Sequence, residues 1–233
     1  MNILALETAT EACSAALWLD NGQGRCIERY RYAPREHNLI LLSMIESLLA
    51  EAGFTFSQLD AIAFGRGPGS FTGVRMAAGV AQGLAFGIDR PVIPVSTLAA
   101  MALEAQEETG AAVVYPCIDA RMGEVYWGVY RSEGHGQVVC IQPEQVITAS
   151  QVGLPDLPLA AGWGIGSGYG TYAEVLNARL NTRLRGILPD RFPRAGCVAR
   201  LASRSCELLS AEQAIPVYLR DDVAKKPGSL QPD

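Results

Sequence analysis

Histidine is scarce in this 233-residue sequence, which contains only His37 and His135, far apart in the chain. No HExxH or HxxxH pair occurs, and the residue four positions after His37 is Leu41, so two histidines cannot chelate a metal from one helix face. The GxSxG nucleophile elbow is also missing. These absences argue against a histidine metal site on one helix and against a hydrolase built around that elbow.

Basic clusters and long apolar runs are scarce as well. The chain has 19 Lys and Arg against 24 Asp and Glu, a formal net charge of −5, whereas a protein that binds nucleic acid alone needs clustered cations. The densest basic stretch, residues 191–200, is interpreted as a solvated helix start. No apolar run reaches the roughly 18 residues of a membrane span, and we recognise no export signal. We therefore expect a cytoplasmic protein without membrane contact.

The order of predicted elements repeats along the chain. Each half opens with three strands joined by short turns, and the first strand of each half ends in a carboxylate. An offset of 112 residues places Glu7 on Asp119 and Gly22 on Gly134. A repeated order with matching carboxylate and glycine positions indicates an internal duplication of an α/β unit.

The duplication predicts two lobes and a tail. We place an N-terminal lobe over residues 1–108, a C-terminal lobe over residues 109–220 and a loose polar tail over residues 221–233. Helices are less regular in the second half, where the better candidates are residues 171–180 and 197–210.

Two glycine-rich stretches follow predicted strands. GRGPGSFTGVR (65–75) lacks the GxxxxGK[ST] spacing of a P-loop, and neither it nor GWGIGSGYG (162–170) fits GxGxxG. Both stretches permit close approach of an anion or nucleotide to the backbone, or they only shape turns and cap helices. The two strand-end carboxylates are candidates to hold magnesium through water, or are ordinary turn residues. The weak nucleotide candidates are Glu7, Gly67, Gly69, Ser70, Asp119, Gly164 and Gly166.

Two predicted helices, residues 37–53 and 71–88, are more apolar than covering one core requires. The apolar arc of the first is wider than the roughly 100° stripe of an ordinary amphipathic helix. Glycines recur every fourth residue along the second and permit close approach of another backbone, either of helix 37–53 or of a partner protein. The predicted docking surface consists of Leu39, Leu42, Ile45, Leu49, Phe71, Arg75, Gly79 and Gly83.

Five segments together resemble the bacterial TsaB (YeaZ) family: ILALETAT, REHNLILLSMIESLL, DAIAFGRGPGSFTGVR, YPCIDARMGEVYW and PVYLRDDVAKK. The resemblance covers nearly the whole chain, and GPGSFTG[VL]R is its specific marker. It implies a duplicated actin-like (ASKHA), ribonuclease-H-like α/β fold with mixed sheets and flanking helices, related to sugar kinases and heat-shock chaperones.

The same resemblance implies a role in forming N6-threonylcarbamoyladenosine beside the anticodon of tRNAs that read codons beginning with A. The implied partners are a metal-bearing TsaD-like paralogue that performs the transfer, a small TsaE-like ATPase, and tRNA bound through the complex. The chain alone is expected to form a homodimer. Because TsaD-like catalysts carry HxxxH near the position of His37 and this chain keeps only the first histidine, we expect a non-catalytic subunit without catalytic residues, metal or cofactor of its own. Whether the assembled complex binds ATP or ADP stays open at this point.

Two other functions stay open at this point. One is an ATP-dependent phosphotransferase of the actin-like superfamily that uses Glu7 or Asp119 with magnesium. The other is a glycopeptidase-like metalloenzyme, although the sequence contains neither a metal-ligand pair nor a nucleophile elbow to support it.

Overall fold

The protein was analysed as a computed structural model that describes residues 1–20, 22 and 24–220. The tail predicted over residues 221–233 lies outside the described residues. Within them, the strands form two five-stranded sheets. The strands are β1 (Ile3–Glu7), β2 (Ala12–Leu19), β3 (Arg25–Tyr32), β4 (Ala61–Gly65), β5 (Val92–Val95), β6 (Val113–Arg121), β7 (Glu124–Gly134), β8 (Gln137–Thr148), β9 (Gly162–Ile165) and β10 (Leu184–Leu188).

The helices begin and end at residues with clear local signals. Ser70 and Ser96 precede two of them, and each side chain accepts a hydrogen bond from a first-turn amide. Gly53 ends another helix in the left-handed conformation that glycine tolerates best. The helices are α1 (His37–Ala52), α2 (Phe71–Ile88), α3 (Thr97–Thr109), α4 (Ser167–Thr171), α5 (Ala173–Leu180) and α6 (Ala195–Ala202).

The two sheets have the same topology. The first has the order β3-β2-β1-β4-β5, and the second has the equivalent order β8-β7-β6-β9-β10. In each sheet the first three strands in sequence pair antiparallel, and the last two join in parallel. Gly22 and Gly134, which the offset superposes, have φ values of 87° and 77°. The duplicated, mixed-sheet α/β fold predicted from the sequence is therefore confirmed.

Helices cover both faces of each sheet. α1 and α2 pack on one face of the first sheet, and α4 and α5 pack on one face of the second. α3 and α6 lie between the sheets and contact each other. The predicted lobe boundary after residue 108 falls at the last residue of α3. No helix within the described residues has the length and apolar character of a membrane span.

Two predictions about the last helix are wrong. A helix does start within residues 191–200, at Ala195, but it is not solvated as predicted, because α6 is largely buried against the first sheet. The helix predicted over residues 197–210 ends at Ala202. The chain beyond it turns back to the first sheet, where Leu209 exchanges two backbone hydrogen bonds with Val92 at the edge of β5. An extended segment held in this way cannot continue a helix.

Candidate functional site

A cleft of about 980 Å³ lies between the two lobes. The turn after β1, the start of α1 and the start of α2 line it from the first lobe. The end of β6 and the β6–β7 turn line it from the second. Residues 217–220 contact both sides, because the Val217 amide donates to the Arg66 carbonyl of the first lobe and the Arg220 guanidinium donates to the Ala120 carbonyl of the second. An ion pair joins the two sides, because Arg121 donates to Glu11 at 2.9 Å. The glycine junction and Asp119 therefore meet at one cleft, although they are far apart in sequence.

The glycine junction between β4 and α2 packs tightly against the protein itself. A Cβ on Gly69 would lie 2.5 Å from the carbonyl oxygen of Ala9, and one on Gly67 would lie 3.2 Å from that of Val217. Ser70 caps α2, since its Oγ accepts a hydrogen bond from the Gly73 amide at 3.2 Å. Gly69 and Ser70 line the cleft, whereas Gly67 does not.

Glu7 is fully buried at the end of β1 and does not line the cleft. Its carboxylate accepts hydrogen bonds from the Ala9 amide at 2.7 Å and from the Thr97 hydroxyl at 2.9 Å. Gly65 on β4 makes room for it, because a Cβ there would lie 2.0 Å from a carboxylate oxygen. Burial raises the pKa of the Glu7 carboxyl to about 7. This geometry gives Glu7 an internal structural role.

Asp119 lines the cleft, but its carboxylate already has several partners. One oxygen accepts from the Arg121 amide at 2.8 Å and from the Tyr172 hydroxyl at 3.1 Å. The other accepts from the Arg121 guanidinium at 3.1 Å and from the Thr171 hydroxyl at 3.4 Å. These contacts hold the β6–β7 turn. Among the residues that the structure describes, no group of three His, Cys, Asp or Glu side chains is arranged to hold a metal ion.

The second glycine stretch contacts its own lobe. A Cβ on Gly164 would lie 2.4 Å from the ring of Tyr169, and one on Gly166 would lie 2.4 Å from the carbonyl oxygen of Cys117. Neither glycine lines the cleft. The sequence left open contact with a ligand or turn geometry alone. Close packing within the second lobe, which neither alternative named, accounts for both glycines.

Two cleft residues escaped the sequence analysis. The Thr10 hydroxyl is buried beside the cleft and has no hydrogen-bond partner among the residues that the structure describes. Tyr218 accepts a hydrogen bond from Arg75 at 2.6 Å, and the Arg75 guanidinium stacks 3.4 Å above the Phe71 ring. Both residues lie within segments that carry the family resemblance, ILALETAT and PVYLRDDVAKK, but nothing in those segments marks them as cleft residues, so only their positions in the fold identify them.

The outer face of α1 and α2 exposes large apolar side chains. Leu39 and Leu42 on α1 are 73% and 56% exposed, and Phe71 and Phe86 on α2 are 52% and 74% exposed. We call this face the α1/α2 surface. It consists of Leu39, Leu42, Phe71, Arg75, Gly79, Gly83 and Phe86, all exposed.

Two residues predicted for the docking surface belong elsewhere. Ile45 and Leu49 are 1% and 5% exposed and pack in the core against the first sheet. They lie on the inward side of the apolar arc of α1, so they cannot contact a partner.

The glycines of α2 face open space. Within residues 1–20, 22 and 24–220, a Cβ on Gly79, Gly83 or Gly87 would meet no atom within 4 Å. The glycine spacing had allowed close packing against α1, but α1 does not contact these glycines. This absence of an internal neighbour distinguishes them from the tightly packed glycines of the cleft and of β9.

Comparisons with known proteins agree with this architecture. The family model described as TsaD, tRNA N6-adenosine threonylcarbamoyltransferase, matches residues 31–158. The chain is 39% identical to the tRNA threonylcarbamoyladenosine biosynthesis protein TsaB of Escherichia coli (strain K12), covering 97% of each chain. It is 40% identical to the Haemophilus influenzae protein of that name, covering 97% of this chain and 96% of that one.

A solved structure is also similar to this chain in both sequence and fold. YeaZ from Pseudomonas aeruginosa superposes with a TM-score of 0.84 at 44% identity, covering 94% of this chain and 99% of that one. Similarity of this extent in both sequence and fold shows that the chain belongs to the TsaB family of tRNA threonylcarbamoyladenosine biosynthesis proteins.

Proposed function

We propose that this protein acts in the formation of threonylcarbamoyladenosine in tRNA as a non-catalytic subunit that docks on a TsaD-like catalyst. The role in this modification rests on the relatives named TsaB, which match 97% of the chain at 39% and 40% identity. The mode of action rests on one structural observation, the exposed apolar α1/α2 surface.

The α1/α2 surface supports docking of a protein. Soluble proteins rarely leave several large apolar side chains exposed on one face unless a partner covers them. Leu39 and Phe86 each expose more than 70% of their surface, so their burial would yield a substantial hydrophobic gain of roughly 25 cal/mol per Å². The open glycines of α2 allow a partner backbone to approach closely.

A TsaD-like paralogue fits this surface. The TsaD family model matches residues 31–158 of this chain, a range that includes α1 and α2. A protein built on the same framework would present an equivalent helix pair, and two similar helix pairs can pack about a pseudo-twofold axis. The same reasoning supports a homodimer of this chain when the paralogue is absent.

The candidate catalytic side chains already hydrogen-bond within the protein, which supports a non-catalytic role. The Asp119 carboxylate hydrogen-bonds to the β6–β7 turn and to Tyr172. The Glu7 carboxylate is fully buried against Gly65. The His37 ring is buried and hydrogen-bonded to the carbonyl of Ala12 at 3.1 Å. The transfer chemistry is therefore assigned to the partner, and no observation favours a phosphotransferase or a glycopeptidase.

We extend the proposal to the rest of the assembly. In the assembled complex, ATP or ADP binds where Gly69, Ser70 and Asp119 line the cleft near the start of α2. The Thr10 hydroxyl, which has no hydrogen-bond partner among the described residues, supports this position. Glu7 and the glycines at 67, 164 and 166 are not part of this proposal because they do not line the cleft. A TsaE-like ATPase is the third component, tRNA is bound through the complex, and the location is the cytoplasm.

The experiment is a tRNA modification assay with the TsaD-like protein of the same cell, run with and without this chain. Modification should require both proteins, which should also co-purify. Asp119→Asn should keep modification within about tenfold, since loss of a catalytic acid or base typically costs 10²-fold or more. A hundredfold loss with assembly intact, or ATP turnover by the isolated chain, would instead favour the phosphotransferase.

A further inference from the structure

Two helices are exchanged between the lobes. α6 follows the second sheet in sequence but packs on the first, where Val198 and Ala199 join the cluster that contains Ile3 and Ala5. α3 follows the first sheet but packs on the second, where Leu98 and its neighbours join a cluster with strands β6, β7 and β9. The relative position of the lobes therefore depends on how these two helices are held.

Glu28 on β3 holds the start of α6. One carboxylate oxygen accepts from the Gly196 amide at 2.9 Å, and the other accepts from the Arg194 guanidinium at 2.7 Å. A Cβ on Gly196 would lie 3.3 Å from this carboxyl group, so the glycine permits the close approach. The Arg194 guanidinium also lies 4.7 Å from the centre of the Tyr30 ring. A carboxylate of the first sheet is thus fixed at the N-terminus of a helix from the second lobe.

Glu144 on β8 holds the start of α3 in a similar way. Its carboxylate accepts hydrogen bonds from the hydroxyl of Ser96, the N-cap residue of α3, and from the hydroxyl of Tyr130 at 2.5 Å. The Arg66 guanidinium lies 3.5 Å away. The Glu144 side chain is only 9% exposed. A carboxylate of the second sheet is thus fixed at the N-terminus of a helix from the first lobe.

The two arrangements are related by the duplication. β3 and β8 occupy the same position in the two sheets, and each supplies one glutamate to the helix that the other lobe contributes. Each glutamate has one arginine partner and one neighbouring tyrosine. We infer that Glu28 and Glu144 are paired clamps that lock α6 and α3 between the lobes and thereby fix the angle at which the lobes enclose the cleft.

The charge and burial of Glu28 and Glu144 suit them to holding α6 and α3 between the lobes. Hydrogen bonds in which one partner is charged are stronger than bonds between two neutral groups. The Glu28 and Glu144 side chains are 17% and 9% exposed, so solvent competes little for them. Loss of one partner would leave the other charge poorly solvated. At α6 it would also leave the Gly196 amide without its acceptor, and at α3 it would leave the capping Ser96 hydroxyl without its hydrogen bond to Glu144. The expected consequence is local opening of that helix start, with the sheets intact.

Hydrogen exchange followed by mass spectrometry on the full chain tests the clamps. Glu28→Gln should speed amide exchange in the first turn of α6 by about tenfold and leave α3 unchanged, whereas Glu144→Gln should do the reverse. The amides of β1 and β6 should keep the exchange rates of the parent. Glu133→Gln is the matched control, because Glu133 also pairs with an arginine, at 2.9 Å, but is exposed.

Faster exchange confined to the expected helix start supports the clamps, and so does an unchanged Glu133→Gln variant. Unchanged exchange would overturn the clamps, because the glutamates would then contribute nothing to the helix starts. A uniform increase across both sheets would also overturn them, because the glutamates would then contribute only to general stability. If a glutamine variant does not fold, Arg194→Gln and Arg66→Gln decide, since they remove only the cationic partner. These variants should give the same local pattern at smaller amplitude, and absence of that pattern overturns the inference.

Discussion

The first lobe covers the outer face of its sheet with two long helices, whereas the second lobe places much shorter elements at the same points of its topology. α1 and α2 have 16 and 18 residues, while α4 and α5 have 5 and 8. Between β8 and β9, where α1 would recur, the chain forms one 3-10 turn at Ala149–Gln151. The duplicated framework therefore preserves the strands, which build both cores, and lets the outer helices diverge.

The helices of the first lobe also expose more apolar surface than those of the second lobe. α1 and α2 expose four large apolar side chains by more than half, whereas Val175 on α5 is 38% exposed. The glycines show the same difference, because Gly83 on α2 faces open space while a Cβ on Gly168 of α4 would lie 2.3 Å from the Cys117 sulfur. Only the first lobe thus has a helix pair suited to a protein partner among the residues described.

The largest stability effect is expected at Gly65, a core glycine of the first lobe. Gly65→Ala should lower the free energy of unfolding by about 4 kcal/mol, because the new methyl group displaces the Glu7 carboxylate from its hydrogen bonds. Chemical denaturation measures this change. Gly170→Ala is the control, since Gly170 is exposed with nothing within 4 Å, and it should change stability by less than about 0.5 kcal/mol. Equal effects of both substitutions would contradict the packing described for Glu7.

A second effect concerns the pH dependence of stability. The pKa of Glu7 is about 7 in the folded protein against a usual 4.5, so the folded chain binds more protons than the unfolded chain between these values. Stability should therefore fall as pH rises through this window, by about 3 kcal/mol for this group. Glu7→Gln should remove this contribution, because glutamine can hydrogen-bond to Ala9 and Thr97 without a charge.

The measurement for Glu7 is the free energy of unfolding of parent and variant at pH 5 and pH 8. The pKa of Glu104 is raised to about 7 by burial as well, so comparison with a variant that keeps Glu104 isolates the contribution of Glu7. The advantage of Glu7→Gln over the parent should grow from pH 5 to pH 8. A constant difference between the two proteins would show that Glu7 does not titrate in this range.

The sequence predicted the three opening strands of each half, the two long helices and the duplication, because these depend on local periodicity and turn residues, but it did not predict β10 (Leu184–Leu188). Helix α2 was predicted with its observed bounds, since Ser70 is an N-cap and the apolar run ends before Asp89. The exchange of α3 and α6 was not predicted, because it depends on how two distant sheets face each other. The end of α6 was missed for a related reason, the pairing of Leu209 with β5.

The candidate site could be predicted only in part. The periodicity of α1 identified an apolar arc, but it could not separate the inward residues Ile45 and Leu49 from the outward Leu39 and Leu42 without the position of the sheet. Glycine spacing also could not distinguish close internal packing, as at Gly164, from open space. These distinctions depend on neighbours that are remote in sequence.

The smallest effect is expected at the open glycines of α2. Gly83→Ala should raise the free energy of unfolding by about 1 kcal/mol, because alanine favours the helix and its methyl group meets no neighbour. Association with the TsaD-like partner should weaken if the partner backbone approaches this face closely. Thermal unfolding gives the first quantity and titration calorimetry the second. A destabilised variant would show that Gly83 has an internal neighbour after all.

Sedimentation of paired variants with the purified TsaD-like protein tests the α1/α2 surface as the docking site most directly. Leu42→Asp places a charge on that surface, and Val139→Asp makes the same change at an apolar residue of the second lobe that is 44% exposed. The account predicts that Leu42→Asp stays folded and loses the complex by about a hundredfold in affinity, whereas Val139→Asp binds as the parent does. Equal binding by both folded variants, or a loss confined to Val139→Asp, would contradict it.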